Sequence, residues 1–194
     1  MTMRTCALLA TVMLLVGCAT DDPSITVKHR VPRGGTVAVV MFKDCDVANQ
    51  PDCDGSGLNA SSIFVRVLSQ RPGLHAVSLP RPVGPKAPFG DDAAVAYAQG
   101  KGYRYVVNGE VQDYHRAGRL ALHSDRAGVS VRVLSVKDGQ ALVTYTYQEN
   151  SKTHLTTPDE MLEDMAKQLA AAIVVEPKKL HQGNFMFYKE NGGD

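Results

Sequence analysis

The run Thr36-Val-Ala-Val-Val-Met-Phe42 decides the fold class. It is continuously apolar, and it is bounded by Gly35 on one side and by Lys43-Asp44 on the other. A strand without polar alternation is typical of a sheet that is covered on both faces, as parallel sheets are. The run therefore predicts a central buried strand with helices packed against it.

Helix and strand patterns alternate after this run. Residues 56–71 carry apolar side chains at helical spacing, and Pro72-Gly73 ends that pattern. Leu74 to Leu79 predicts a short second strand. Residues 80–90 contain four prolines, which exclude a helix or a central strand and leave a connector, a lid or a partner-binding loop. An Ala-rich helix follows, which Asp91 or Asp92 would cap.

The second half of the chain predicts three strands and a helix. The strands cover residues 103–111, 128–136 and 140–148, and Asp138-Gly139 is typical of a hairpin turn between the last two. Thr157-Pro-Asp-Glu160 supplies an N-cap, a proline at the first helical position and a capping-box carboxylate, and Pro177 would end this helix. The order β-α-β-α-β-β-β-α predicts an α/β (α+β) fold with a mixed sheet, parallel early and antiparallel late.

Length and charge limit the function classes. The 194 residues carry 21 basic and 20 acidic side chains, a formal net charge of +1, so no basic footprint for nucleic acid is present. The length predicts a single domain over residues 36–176. Loss of Arg4 with a cleaved signal would bring the net charge to zero, which argues against holding the domain on anionic lipid by charge.

The N-terminus predicts export and lipid attachment. Residues 7–16 form an apolar run that is too short to span a bilayer and fits the core of a signal peptide, residues 1–17. Leu15-Val-Gly-Cys18 resembles a bacterial lipobox, which implies that Cys18 receives diacylglycerol and acyl chains such as palmitate. An ordinary signal peptide that contains a cysteine is the alternative. Because Ala19 follows, the resemblance implies the outer membrane, and residues 18–35 would form a flexible tether.

Two cysteines remain in the exported chain. Cys45 and Cys53 would lie in an oxidising compartment, and we predict a disulfide between them. The aspartates of loop 44–54 suggest calcium or zinc instead, but they match no EF-hand spacing and no histidine lies near either cysteine. We predict no metal, with ion binding by this loop left open. Asp54 or Ser56 would cap the helix that follows.

No catalytic residue and no cofactor are predicted. The histidines are scattered and show no HExxH pattern. His115 and His123 could face Asp113 and Asp125 across a hairpin, but surface polar pairs of this kind are commoner than active sites. We therefore expect a protein that is not an enzyme.

Three segments together resemble a known group of proteins: Val37-Ala-Val-Val-Met-Phe42, Gly102-Tyr-Arg-Tyr-Val-Val-Asn-Gly109 and Val129-Ser-Val-Arg-Val-Leu-Ser-Val-Lys-Asp-Gly139. They are similar to the periplasmic lipoprotein domains of the CsgG, PelC and TolB N-terminal type, over residues 36–175. Tyr103 and Arg104 depart from the Ala and Asp of that pattern. The resemblance implies a non-enzymatic envelope role in rings around secretion pores, in polysaccharide export or in activation of wall synthases.

We therefore expect a lipid-anchored scaffold on the periplasmic face of the outer membrane, with copies of itself or other envelope proteins as partners. An envelope hydrolase or a small-ligand-binding lipoprotein is the alternative. The tail, residues 177–194, is unusually apolar at Phe185, Phe187 and Tyr188, which would contact a partner or cover the chain's own domain.

Overall fold

A six-stranded sheet with the strand order β1-β6-β5-β4-β2-β3 organises the protein. The computed structural model describes residues 22–117, 124–151 and 156–174. The strands are β1 Ser24–Val27, β2 Gly35–Val40, β3 Leu74–Leu79, β4 Tyr105–His115, β5 Arg126–Ser135 and β6 Ala141–Asn150. The helices are α1 Ser56–Ser69, α2 Asp91–Gly100 and α3 Pro158–Ile173. The predicted order is confirmed from β2 to α3.

Strand directions follow from the connections. β2 pairs in parallel with β3 and with β4, because helices α1 and α2 return the chain to the same end of the sheet. β4, β5, β6 and β1 pair antiparallel in turn. Gly139 adopts the positive φ of 70° that the predicted hairpin turn requires. The predicted mixed sheet is therefore correct.

Helices cover the sheet on both faces. α1 and α3 lie on one face, where the largest core cluster includes Val37, Val39, Phe64 and Met165. α2 lies on the other face, over a smaller cluster that includes Ala38 and Ala98. Neighbouring residues of β2 thus belong to different cores, which explains why its sequence shows no polar alternation.

The predicted tether is wrong for part of its length. Ser24–Val27 forms strand β1, which pairs antiparallel with β6. Val31 is only 1% exposed, and its N–H donates to the carbonyl oxygen of Ile173 at 2.9 Å. Four residues of edge strand show no periodicity, and backbone hydrogen bonds hold them regardless of side-chain type. The fold therefore begins before Gly35.

The helix starts agree only in part with the prediction. Thr157 caps α3 through a complete capping box with Glu160, as predicted. α1 begins after Gly55, and neither Asp54 nor Ser56 caps it through a side chain. α2 begins after Gly90, so its two aspartates lie in the first turn without capping it. At α1 a long-range contact from Asp44 replaces the local cap.

Several predictions concern residues outside the described ranges. These are the signal peptide 1–17, Cys18, His123, the helix stop at Pro177 and the tail residues Phe185, Phe187 and Tyr188. Within the described ranges, no helix has the length and apolar character needed to cross a membrane.

Candidate functional site

A disulfide closes the loop between β2 and α1. Cys45 and Cys53 are bonded, with their Cα atoms 5.0 Å apart, which confirms the predicted pair. Both cysteine side chains are almost fully buried. The Cys45 N–H also donates to Ser56 Oγ at 3.1 Å. The loop is thus held against the first turn of α1 by a covalent bond and a hydrogen bond.

Asp44 caps α1 from the far side of this loop. Its carboxylate accepts hydrogen bonds from the N–H groups of Gly55 at 3.0 Å and Gly57 at 2.7 Å. These donors belong to the set that a helix N-terminus leaves without intrahelical partners. Glycine is required at position 57 because the first turn of α1 lies against the backbone at Phe42, where a Cβ would collide with the Phe42 carbonyl oxygen.

Two other aspartates of the loop, Asp52 and Asp54, have separate partners. Asp52 accepts from the Arg116 N–H at 3.0 Å and lies 3.3 Å from His115 Nδ1. Asp54 pairs with Lys86 at 2.7 Å. In the described part of the chain, no three His, Cys, Asp or Glu side chains converge as metal ligands would. The prediction that this loop binds no metal stays a prediction.

A polar cluster lies where β4 ends. Tyr114 Oη donates to Asp159 Oδ1 at 2.7 Å, and Arg116 Nη2 lies 3.0 Å from the other oxygen of that carboxylate. Burial, together with this hydrogen bond, raises the pKa of Tyr114 to about 12. Asn59 Nδ2 donates to the same Asp159 oxygen at 2.7 Å. The cluster therefore joins the starts of α1 and α3 to β4.

The predicted histidine and aspartate pairs do not form one site in the described residues. Asp113 is bound by Arg126 Nε at 3.1 Å, and Asp125 accepts a hydrogen bond from the Ala117 N–H. His115 faces Asp52 rather than either of these aspartates. Asp113, His115 and Asp125 each have a separate structural partner, so these three described residues assemble no acid–base pair aimed at a common point.

A small cavity lies beside the carboxyl end of β2. Its volume is about 200 Å³, and its lining includes Lys43, Arg81, Phe89, Glu110 and Arg132. In open parallel sheets, ligands bind at this end, where successive helices leave on opposite faces of the sheet. The cavity is smaller than the roughly 300–1,000 Å³ of common ligand sites. Its position in the sheet, rather than its size, makes it a candidate site for a small ligand.

Arg81 organises the wall of this cavity. Its guanidinium donates to the carbonyl oxygens of Met41 at 3.3 Å, Gly84 at 3.4 Å and Ala87 at 2.6 Å, and it stacks over the Phe89 ring. Burial lowers the pKa of Arg81, while the charges of Asp44 and Glu110 oppose that shift. The guanidinium thereby holds the proline-rich loop 80–90 against the end of β2. Of the roles predicted for this loop, that arrangement favours a fixed connector.

The opposite wall is also fixed by internal contacts. Asn108 Nδ2 donates to the Phe89 carbonyl oxygen and to Asp91 Oδ1, both at 3.0 Å. Asp91 also pairs with Arg132 Nε at 2.9 Å. Nothing in the sequence pattern singles out Arg81 or Asn108. The partners of Asn108 come from another segment, and those of Arg81 lie partly in its own loop and partly after β2.

The two edges of the sheet are the remaining candidate surfaces. β1 and β3 are the outermost strands, so each has one side without a strand partner among the described residues. On β1, Ile25 and Val27 are each 38% exposed, which is high for large apolar side chains. Unpaired strand edges can add a strand from another chain. The edges are therefore suited to protein contacts.

Comparison with known proteins supports the fold. No family model matches the sequence, and no curated protein does either. A PelC dodecamer from Paraburkholderia phytofirmans has a similar structure, with a TM-score of 0.63 and 18% identity over 80% of this chain and 99% of that one. A variant PelC dodecamer from the same organism gives a TM-score of 0.60 with 15% identity, over 79% of this chain and 99% of that one.

A lipoprotein from Neisseria meningitidis is more distant, with a TM-score of 0.41 and 11% identity over 72% of this chain and 99% of that chain. At these identities the comparisons establish the fold alone. The predicted resemblance to PelC is thus confirmed as a PelC-like fold, and the resemblance to CsgG and to TolB stays a prediction.

Proposed function

We propose that this chain is a non-enzymatic, lipid-anchored envelope protein that assembles with copies of itself and serves as a scaffold for an export or cell-wall machine. The observation that carries the proposal is the PelC-like fold, which matches 99% of a subunit that forms a dodecamer. Cys18 would hold the assembly on the periplasmic face of the outer membrane.

The sheet edges support assembly. A closed ring needs two different contact surfaces on each subunit, because each copy meets its two neighbours in a head-to-tail manner. β1 and β3 lie at opposite edges of the sheet and differ in sequence and direction. Ile25 and Val27 add exposed apolar area to the β1 edge. One edge of each copy could therefore face the other edge of the next.

The arrangement of polar groups supports a non-enzymatic role. In the described ranges, Asp52, Asp54 and Asp113 are engaged in separate structural contacts, and His115 faces Asp52. The cavity at Arg81 is small, and Asn108 and Arg132 on its wall are both bound to Asp91. A hydrolase would need a nucleophile and a base aimed at one point.

The mass in solution tests assembly. The chain from Ala19 onward contains every described element, and light scattering should find one species at a whole multiple of the subunit mass. The double variant Ile25→Lys, Val27→Lys should dissociate it, because buried charges oppose the β1 contact. Val47 and Leu58 are exposed apolar residues outside the edge strands, so Val47→Lys, Leu58→Lys is the matched control. A monomer at all concentrations would reject the assembly.

Fractionation of cells tests the anchor. The full-length chain should sediment with outer membranes, and Cys18→Ala should release it into the periplasm, because acyl chains contribute about 0.8 kcal/mol per buried methylene. Membrane retention of that variant would contradict lipidation at Cys18.

A further inference from the structure

Charge is unevenly distributed between the two ends of the sheet. Four turns meet at the end where β2, β3 and β4 begin: residues 28–34, 70–73, 101–104 and 136–140. Two hydrogen bonds join these turns in pairs, from the Gly34 N–H to the Gly73 carbonyl at 2.7 Å and from the Val136 N–H to the Arg104 carbonyl at 2.9 Å. We call these four turns the basic end.

The basic end has an excess of positive charge. Asp138 is the single carboxylate in its four turns, all of which lie in the described ranges. The four turns contain seven Lys and Arg side chains: Lys28, Arg30, Arg33, Arg71, Lys101, Arg104 and Lys137. Arg71 is half-buried, and the other six are exposed. The side chains of Lys28 and Arg104 make no hydrogen bond or ion pair with any other described residue.

The opposite end has the reverse balance. Its loops are residues 41–55, 80–91, 115–117, 124–126, 150–151 and 156–160 in the described chain. They carry eight carboxylates against five Lys and Arg side chains. The carboxylates are those of Asp44, Asp46, Asp52, Asp54, Asp91, Asp125, Asp159 and Glu160. The formal net charge of +1 thus conceals a separation of charge along the strands.

The two ends act separately on their surroundings. β4 alone has 11 residues, and at about 3.3 Å per residue it spans roughly 36 Å. At physiological salt, charges are screened over about 8 Å, so an anionic surface at one end does not sense the other. The local excess of cations, rather than the sum over the chain, therefore governs contact with such a surface.

The basic end also contains a groove without acidic lining. Its volume is about 380 Å³, and its side chains include those of Arg33, Tyr103, Arg104 and Tyr105. No carboxylate is among its lining residues. Arginine favours phosphate because its guanidinium donates two parallel hydrogen bonds, and tyrosine is common at the level of lipid headgroups. The groove can therefore accept one headgroup while the other turns face the surrounding ones.

We propose that the basic end docks on a bilayer surface that carries anionic phospholipid headgroups. The cations are spread over four separate turns, and only two of the seven line the groove, so the arrangement suits a plane of many anions better than one bound anion. The contact would orient the domain with its acidic end away from the membrane. It depends on neither the lipid on Cys18 nor the assembly of copies.

Vesicle sedimentation tests this contact. The chain from Ala19, which lacks the lipid, should sediment with vesicles of phosphatidylglycerol and phosphatidylcholine, but not with phosphatidylcholine alone. Added salt should release it. The triple variant Lys28→Gln, Arg104→Gln, Lys137→Gln removes one cation from each of three turns. Each cation contributes about fivefold near an anionic surface, so the partition coefficient should fall on the order of 100-fold.

A second triple variant controls for total charge. Lys86→Gln, Arg116→Gln, Lys167→Gln removes three cations outside the basic end and should bind these vesicles like the unaltered chain. Thermal unfolding and mass in solution, measured on both triples, separate loss of docking from loss of folding or assembly. No binding to anionic vesicles at low salt, an equal loss in both triples, or binding to soluble polyglutamate but not to vesicles would each overturn the proposal.

Discussion

Asp44 accepts a 2.7 Å hydrogen bond from the Gly57 N–H across 13 positions of chain, and so caps a helix to which it does not belong. A second bond comes from the Gly55 N–H at 3.0 Å. Asp44 is only 3% exposed, so water cannot replace these contacts. A residue in the loop after strand β2 therefore caps the start of α1.

Asp44→Ala should lower the free energy of unfolding by about 2–3 kcal/mol, because it leaves backbone donors near Gly55 and Gly57 without a partner. Urea denaturation measures this change. Asp46→Ala is the control. Because Asp46 is exposed, its replacement should change the free energy of unfolding by less than about 0.5 kcal/mol. Equal stability of the two variants would contradict the capping role.

Gly57→Ala should cost about 3 kcal/mol or more, or prevent folding, because the added Cβ meets the rigid backbone at the Phe42 carbonyl. Gly84→Ala provides the comparison, since no heavy atom lies within 4 Å of a Cβ built there. Soluble yield and thermal unfolding are the measurements. A folded Gly57→Ala variant with unchanged stability would show that α1 can shift.

Reduction of the disulfide between Cys45 and Cys53 should lower the free energy of unfolding by about 2–3 kcal/mol. The two residues are 8 positions apart, and the loop-entropy model assigns roughly that value to so short a loop. Unfolding curves with and without reductant measure it. The double variant Cys45→Ala, Cys53→Ala should be insensitive to reductant; continued sensitivity would point to another redox group.

Tyr114 should make the free energy of unfolding depend on pH in the alkaline range. Its pKa is raised to about 12 in the folded protein, from 10.0 in the unfolded chain. The stabilisation is therefore complete below pH 10 and is lost as the pH rises from about 10 to 12. Urea unfolding should therefore find a smaller difference in the free energy of unfolding between the unaltered chain and Tyr114→Phe at pH 11.5 than at pH 9. A constant difference between them would contradict the shift.

Val31→Ala should destabilise the fold by about 2 kcal/mol, because Val31 is only 1% exposed and packs in the main core. Val47→Ala is the matched control, since Val47 is 39% exposed. Chemical denaturation compares the two. If Val31→Ala were as stable as the unaltered chain, residues before Gly35 would be a tether after all.

One periodic signal and one local signal in the sequence are confirmed by the structure. The apolar run at β2 correctly indicated a strand buried on both faces, and the box at Thr157 and Glu160 located the start of α3. Such signals depend on residues within one turn or one strand of each other, so a single segment contains all the necessary information.

Non-local contacts were missed for the opposite reason. The sequence predicts a tether at β1 because the position of β1 depends on backbone bonds to β6, more than 100 residues away. It predicts Asp54 or Ser56 as the cap of α1 because helix caps are usually adjacent, whereas the disulfide loop brings in Asp44. Arg81 gave no signal, since the three carbonyl groups it binds converge only in the folded chain.

The sequence by itself determined the order of elements from β2 to α3, the mixed sheet and the pairing of Cys45 with Cys53. The tertiary structure alone decided which ends of those elements meet. A net charge near zero is a sum, and only the strand directions place Lys28, Arg104 and Lys137 at one end and the carboxylates of loop 44–54 at the other. Electrostatic contact is short-ranged in salt, so this placement, rather than the composition, governs which surfaces the protein can bind.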